Sequence, residues 1–154
     1  MTDSVTDLLR YWLPKSAAWG FPPPDPAVSV LEIPTLDVGV SRALSPMLRE
    51  RFEFCGEWEV GPGGMRWYSA ASLAEHRTYL AEAVEENLDA HGDRCLFVGK
   101  AASELSVLAE TDWNLITAHW VSGAAEPAIL LHHGSNVEEF PNLRACLQWY
   151  KGDQ

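Results

Sequence analysis

The chain of 154 residues carries 11 lysines and arginines against 22 aspartates and glutamates, a formal net charge of −11. That balance argues against a nucleic-acid backbone as partner, which needs clustered cations, and against anionic membrane surfaces. The length suits one domain with its own core, and three widely spread cysteines without a CxxC suit reduced, packed thiols in a cytoplasmic protein.

In chain order, the N-terminus shows no basic n-region, and no segment approaches the roughly 20 apolar residues needed to span a bilayer. Neither a secretory leader nor a membrane span is expected. Thr6 to Leu13 predicts a short docking helix that Pro14 stops. Pro22-Pro23-Pro24-Asp25-Pro26 must be extended; it lacks the basic flank of an SH3 ligand and reads as a connector. Val28 to Ile33 alternates as a strand does, and Ser45-Pro46 opens a helix with a cap and an N1 proline. Glu57 to Val60 and Met65 to Tyr68 flank Gly61-Pro62-Gly63-Gly64, the pattern of a β-hairpin; the turn lacks the lysine and following helix of a phosphate-binding loop.

The most regular segment runs from Ser72 to Ala90. Ser72 and Glu75 have the spacing of a capping box, and Leu73, Leu80, Val84 and Leu88 form one apolar stripe. Glu75, Glu82, Glu86 and Asp89 fall on nearly the opposite face, as a ridge of carboxylates. His91-Gly92-Asp93 ends the helix. Four strands are predicted after it, at Cys95 to Gly99, Leu105 to Glu110, Ile116 to Val121 and Ala128 to His132, with links short enough for antiparallel hairpins. Phe140, Leu143, Leu147 and Tyr150 recur at helical spacing within a closing helix between Ser135 and Tyr150, with Ser135 and Glu138 spaced as its cap. The expected fold is α+β: a single domain with an antiparallel sheet of about four to six strands and helices packed on one face.

No catalytic motif accompanies this frame. His132 and His133 are adjacent on a strand, so their side chains point to opposite faces and cannot share one metal. His119 reads as a hydrogen-bonded structural histidine, and Ser135 lies outside any GxSxG. Cys55 sits among acids that would raise its pKa. The aromatic residues are more informative. Trp58 beside Glu57, and Trp113 between Asp112 and Asn114, combine tryptophan with acids, a composition frequent at protein interfaces.

Several of these segments resemble the SUKH superfamily, also called the SMI1/KNR4-like fold. They are Trp67-Tyr68-Ser69 leading into Ser72-Leu73-Ala74-Glu75, Leu96-Phe97-Val98-Gly99, Glu104 to Ala109, and Asn136-Val137-Glu138-Glu139-Phe140 followed by Leu143 to Leu147. The resemblance covers roughly residues 40 to 150 and leaves residues 1–40 as an irregular N-terminal extension. In the family an "FVG" strand begins the antiparallel run and a "sFeeFL"-like helix ends the domain. The resemblance implies a non-catalytic bacterial immunity protein that neutralises a cognate polymorphic toxin, without cofactor or metal. An acidic surface would suit a basic toxin. The expected partner-binding residues are Glu57, Trp58, Glu75, Glu82, Glu86, Asp112 and Trp113. The alternatives are a regulatory or scaffold domain using the same surface, and a small enzyme or metal-binding protein using His132, His133 or Cys95.

Overall fold

Short, mostly apolar runs after position 104 supply four strands of the five-stranded antiparallel meander at the centre of the molecule. The computed structural model describes residues 3–112 and 114–152. Strands β3 (Arg66–Trp67), β4 (Leu105–Thr111), β5 (Asn114–His119), β6 (Ala128–His133) and β7 (Asn136–Phe140) lie side by side in chain order. Every residue of Leu105 to Ala109, Leu115 to Ala118 and Ile129 to His132 is buried, so the sheet is covered on both faces. A separate two-stranded ribbon pairs β1 (Glu32–Pro34) with β2 (Ser41–Ala43). The fold is α+β, as the sequence predicts.

The helices occupy both faces of the sheet rather than the one expected. Successive residues on a strand face opposite ways, and His132 and His133 report the two sides. The His132 ring lies 5.5 Å from that of His91, at the end of α4 (Arg77–His91). The His133 ring lies 5.6 Å from that of Trp149 on α5 (Leu143–Gly152). Helix α1 (Val5–Ala18) packs against α5 and against α2 (Pro46–Phe54), behind that second face. Its Val5, Leu8, Leu9 and Trp12 belong to the core, so much of the expected N-terminal extension is an integral layer. Pro14 does not stop this helix. The residue beyond it that matters, Ser16, is buried and donates to the Val60 carbonyl at 2.6 Å, which ties down the last turn.

Other expectations need correction. The helix predicted from Ser72 is two helices, α3 (Ala70–Glu75) and α4, which meet at His76. Ser69, not Ser72, is the N-cap: its hydroxyl accepts from the Ser72 amide, and the His76 ring Nδ1 lies 2.9 Å from the Ser72 carbonyl at the break. Cys95 to Gly99 is a pair of tight turns rather than a strand. Its Leu96 amide donates to His132 Nε2 at 3.0 Å, while Cys95 and Phe97 plug the sheet face. Val28 to Leu31 lies outside β1, with Val28 and Leu31 exposed. Residues Asn136–Phe140 are strand β7, not helix, because Gly134, at φ +58°, closes a two-residue turn that returns the chain along β6. Ser135 therefore sits in that turn and caps nothing. Between Glu57 and Tyr68 the hairpin exists only in short form, a Trp58–Trp67 bridge and β3 around the turn Pro62–Gly64. The capped helix after Ser45 forms as predicted, with Glu126 also accepting from Ser45 Oγ and from the Met47 amide.

Candidate acidic cleft

Helix α4 and the turn between β4 and β5 enclose an acidic recess. Tyr79, Glu82, Ala83, Glu86 and Asn87 recur at three- and four-residue spacing and so share one side of α4. Opposite them stand Glu110, Thr111, Asp112, Asn114 and Leu115 from the hairpin. The cavity measures about 50 Å³, the room of a side-chain tip. A second recess of about 60 Å³ continues it past Glu86, Asn87 and Asp112 to His91 and Gly134. Neither recess has a lysine or arginine in its lining.

The hairpin side is held firmly. The Asn114 side-chain oxygen accepts from the Gly134 amide at 3.0 Å, which ties the β4–β5 turn to the β6–β7 turn. Glu110 accepts from the Tyr68 hydroxyl at 3.0 Å and lies 3.4 Å from the Tyr79 hydroxyl. Burial first, and then the charge of Glu110, raises the pKa of both phenols. Both therefore remain neutral donors toward Glu110 at neutral pH.

Of the residues expected to bind a partner, Glu82, Glu86 and Asp112 converge on this cleft, and all three are exposed. Glu75 is exposed too, but it lies on α3 beyond the break at His76 and does not line the recess. Glu57 serves the fold. It takes the Arg66 guanidinium at 2.6 Å and the Ser69 amide at 2.8 Å. Burial alone would raise its pKa, yet these donors outweigh burial and hold it below the usual glutamate value. Trp58 is fully buried, stacked against Phe54, and so is a core residue and not a contact surface. Trp113 lies outside the described residues. Glu110, Tyr79, Asn87 and Asn114 were not singled out from the sequence. Tyr79 and Asn87 could have been, since they lie three residues before Glu82 and one after Glu86. Glu110 is placed by strand register alone.

The three cysteines and His132 are buried, whereas His76, His91, His119 and His133 are half-buried. His132 is fully buried, its Nε2 facing the Leu96 amide and Cys95 Sγ, its ring 4.2 Å from that of Phe97. Burial, with His91 and Lys100 adding, pushes its pKa down to about 4. Cys55 has a raised pKa chiefly from burial; Arg51 opposes the shift and Asp25 adds only the smallest part, so the acids around it in sequence are not the main cause. Among the described residues no group of three or more His, Cys, Asp or Glu side chains is arranged to hold a metal ion. No helix of the described residues is long and apolar enough to cross a membrane.

Comparison of the chain with family models, curated proteins and solved structures finds no match. The resemblance to SUKH proteins therefore rests on sequence segments alone. Two of those segments fold otherwise than the resemblance implies, Leu96 to Gly99 as turns and Glu138-Glu139-Phe140 as strand.

Proposed function

We propose that this is a non-catalytic binding protein whose acidic cleft receives a basic side chain from a protein partner. The observation that carries the reading is the convergence of Glu82, Glu86, Glu110 and Asp112, from two elements distant in sequence, on one recess without a lining cation. A lysine or arginine tip entering there meets several carboxylates at once. The net charge of −11 adds long-range attraction for the same kind of partner. A cognate toxin neutralised by a cytoplasmic immunity protein is the partner that the SUKH resemblance implies.

The test is affinity capture from the native cell with the tagged protein, washed at increasing salt, beside a variant carrying Glu82→Lys, Glu86→Lys and Asp112→Lys. The exposed positions predict unchanged stability, within about 0.5 kcal/mol per site. A basic protein retained by the wild type at low salt and lost from the variant supports the reading. Equal retention by both removes the cleft from it.

A further inference from the structure

The five-stranded sheet is buried on both faces, so another chain can join it only at an edge, and its two edges differ. Along β3 the outer side is already occupied: Trp58 and Trp67 exchange both backbone hydrogen bonds, each at 2.9 Å. At the other edge stands β7, paired with β6 alone. Gly134 and Ser135 form a two-residue turn, and in such a hairpin the closing pair, His133 and Asn136, exchanges both its bonds. The pattern then alternates. Asn136, Glu138 and Phe140 turn their amides and carbonyls toward β6, whereas Val137 and Glu139 turn theirs outward. No other backbone group among the described residues takes up those outward donors and acceptors. The side chains add a charge pattern. Glu138 and Glu139 are adjacent and exposed, and neither forms an ion pair among the described residues. Glu138 shares the sheet face of Phe140, whose ring lies 5.8 Å from that of Trp149 on α5. Glu139 lies on the opposite face, with Val137 and its partner His132. Each face of the open edge therefore ends in one carboxylate.

We propose that β7 is a docking edge for an extended basic segment of another protein, which adds antiparallel to it as a further strand with adjacent Lys or Arg residues opposite Glu138 and Glu139. Backbone pairing with Val137 and Glu139 supplies the hold, and the two cations, one on each face, supply the selection. Charge decides the occupant. A second copy of this chain would also have to pair antiparallel about a twofold axis, and the register that satisfies Val137 and Glu139 of both chains sets Glu138 against Glu138. Like charges directly opposite destabilise a strand pair, and each chain carries a net charge of −11 besides. The carboxylates that guard this edge against self-association are thus the ones that favour a basic strand. The inference does not rest on the acidic cleft, because the edge accepts such a strand whether or not a basic tip enters between α4 and the hairpin.

The experiment titrates the full chain, isotopically labelled, with the capped peptide Thr-Val-Lys-Lys-Val-Thr at about 0.15 M salt, where distant charges are screened. Amide shifts and hydrogen exchange are followed by NMR. The expected result at millimolar peptide is slowed exchange of the Val137 and Glu139 amides. The same peptide N-methylated on its first lysine and second valine, the residues that pair with Glu139 and Val137, keeps both charges and should lose that protection. In the protein, Glu138→Lys with Glu139→Lys weakens binding by about tenfold while the unfolding midpoint holds, since both sites are exposed. Glu82→Lys with Glu86→Lys, in the cleft, leaves the protection in place. An N-methylated peptide that binds as well as its parent, or shifts confined to α4 and the β4–β5 turn, overturns the proposal and leaves the cleft reading standing. Protection that survives the reversal of Glu138 and Glu139 overturns it too, as does the absence of any response at Val137 and Glu139.

Discussion

His132 should make the protein acid-sensitive in a defined window. In the folded chain its Nε2 accepts the Leu96 amide proton, so the neutral ring carries its proton on Nδ1, which has no partner. Protonation would place a hydrogen on Nε2 facing that amide, inside a site closed by Phe97 and His91. The folded pKa of about 4 lies below the ordinary 6.5. Between these values the unfolded chain binds more protons than the folded one, so stability is intact above pH 6.5 and declines as pH falls toward 4. At 1.36 kcal/mol per pH unit the full loss is about 3 kcal/mol, of which about 2 kcal/mol has accrued by pH 5. The assay is urea unfolding from pH 7.5 to 4 for the wild type and for His132→Gln, whose side-chain oxygen can still take the Leu96 amide. Carboxylates titrate in both proteins, so the difference between the two curves isolates the imidazole. That difference should shift by about 3 kcal/mol across the window. Parallel curves would refute the reasoning.

Three further outcomes follow from side chains with defined partners. Ser69→Ala should cost about 1 kcal/mol by urea unfolding, as loss of a helix cap does, whereas Glu75→Ala should stay within about 0.5 kcal/mol because Glu75 closes no capping box. Arg51→Met should cost about 3 kcal/mol or more. The buried guanidinium is the donor to the Cys55, Gly56 and Tyr68 carbonyls, and methionine leaves them enclosed without it. Trp58→Ala should lower stability by about 3–5 kcal/mol, which a calorimetric scan would register, and any loss of partner binding should track the unfolded fraction.

The legible parts of this chain are those where one local signal decides. Ser45-Pro46 caps a helix whatever lies around it, and the short apolar runs Leu105 to Glu110 and Ala128 to His132, set between brief links, suit strands buried on both faces. The chain departs from its local signals where a tertiary partner decides between two readings. Cys95 to Gly99 is apolar enough for a buried strand, but His132 spends its amide and the chain turns instead. Asn136 to Phe140 carries residues acceptable to a helix, yet Gly134 aims them along β6, and the helix waits until Leu143. Pro14 would end an isolated helix, whereas α1 has a buried face on both sides of it. The tryptophan-plus-acid rule failed at Trp58 for a related reason. Adjacent strand residues face opposite ways, so Glu57 reaches Arg66 while Trp58 enters the core.

The break at His76 also changes what kind of binding surface the acids can form. A single helix from Ser72 to Ala90 would display Glu75, Glu82 and Glu86 as a convex ridge, fully hydrated and strongly screened by salt. In the folded chain Glu75 is set apart on α3, and Glu82 and Glu86 instead face Glu110 and Asp112 across a recess. A cation entering a recess sheds more water and meets carboxylates on two walls, so its attraction is less screened than on a ridge. The two walls are joined only through the fold: Leu80 and Val84 seat α4 on the core, and Asn114 fixes the hairpin to Gly134. A peptide of α4 alone carries Glu82 and Glu86 without the opposing wall. It should therefore fail to compete with the intact protein for a basic partner, even at concentrations where its own net charge is matched.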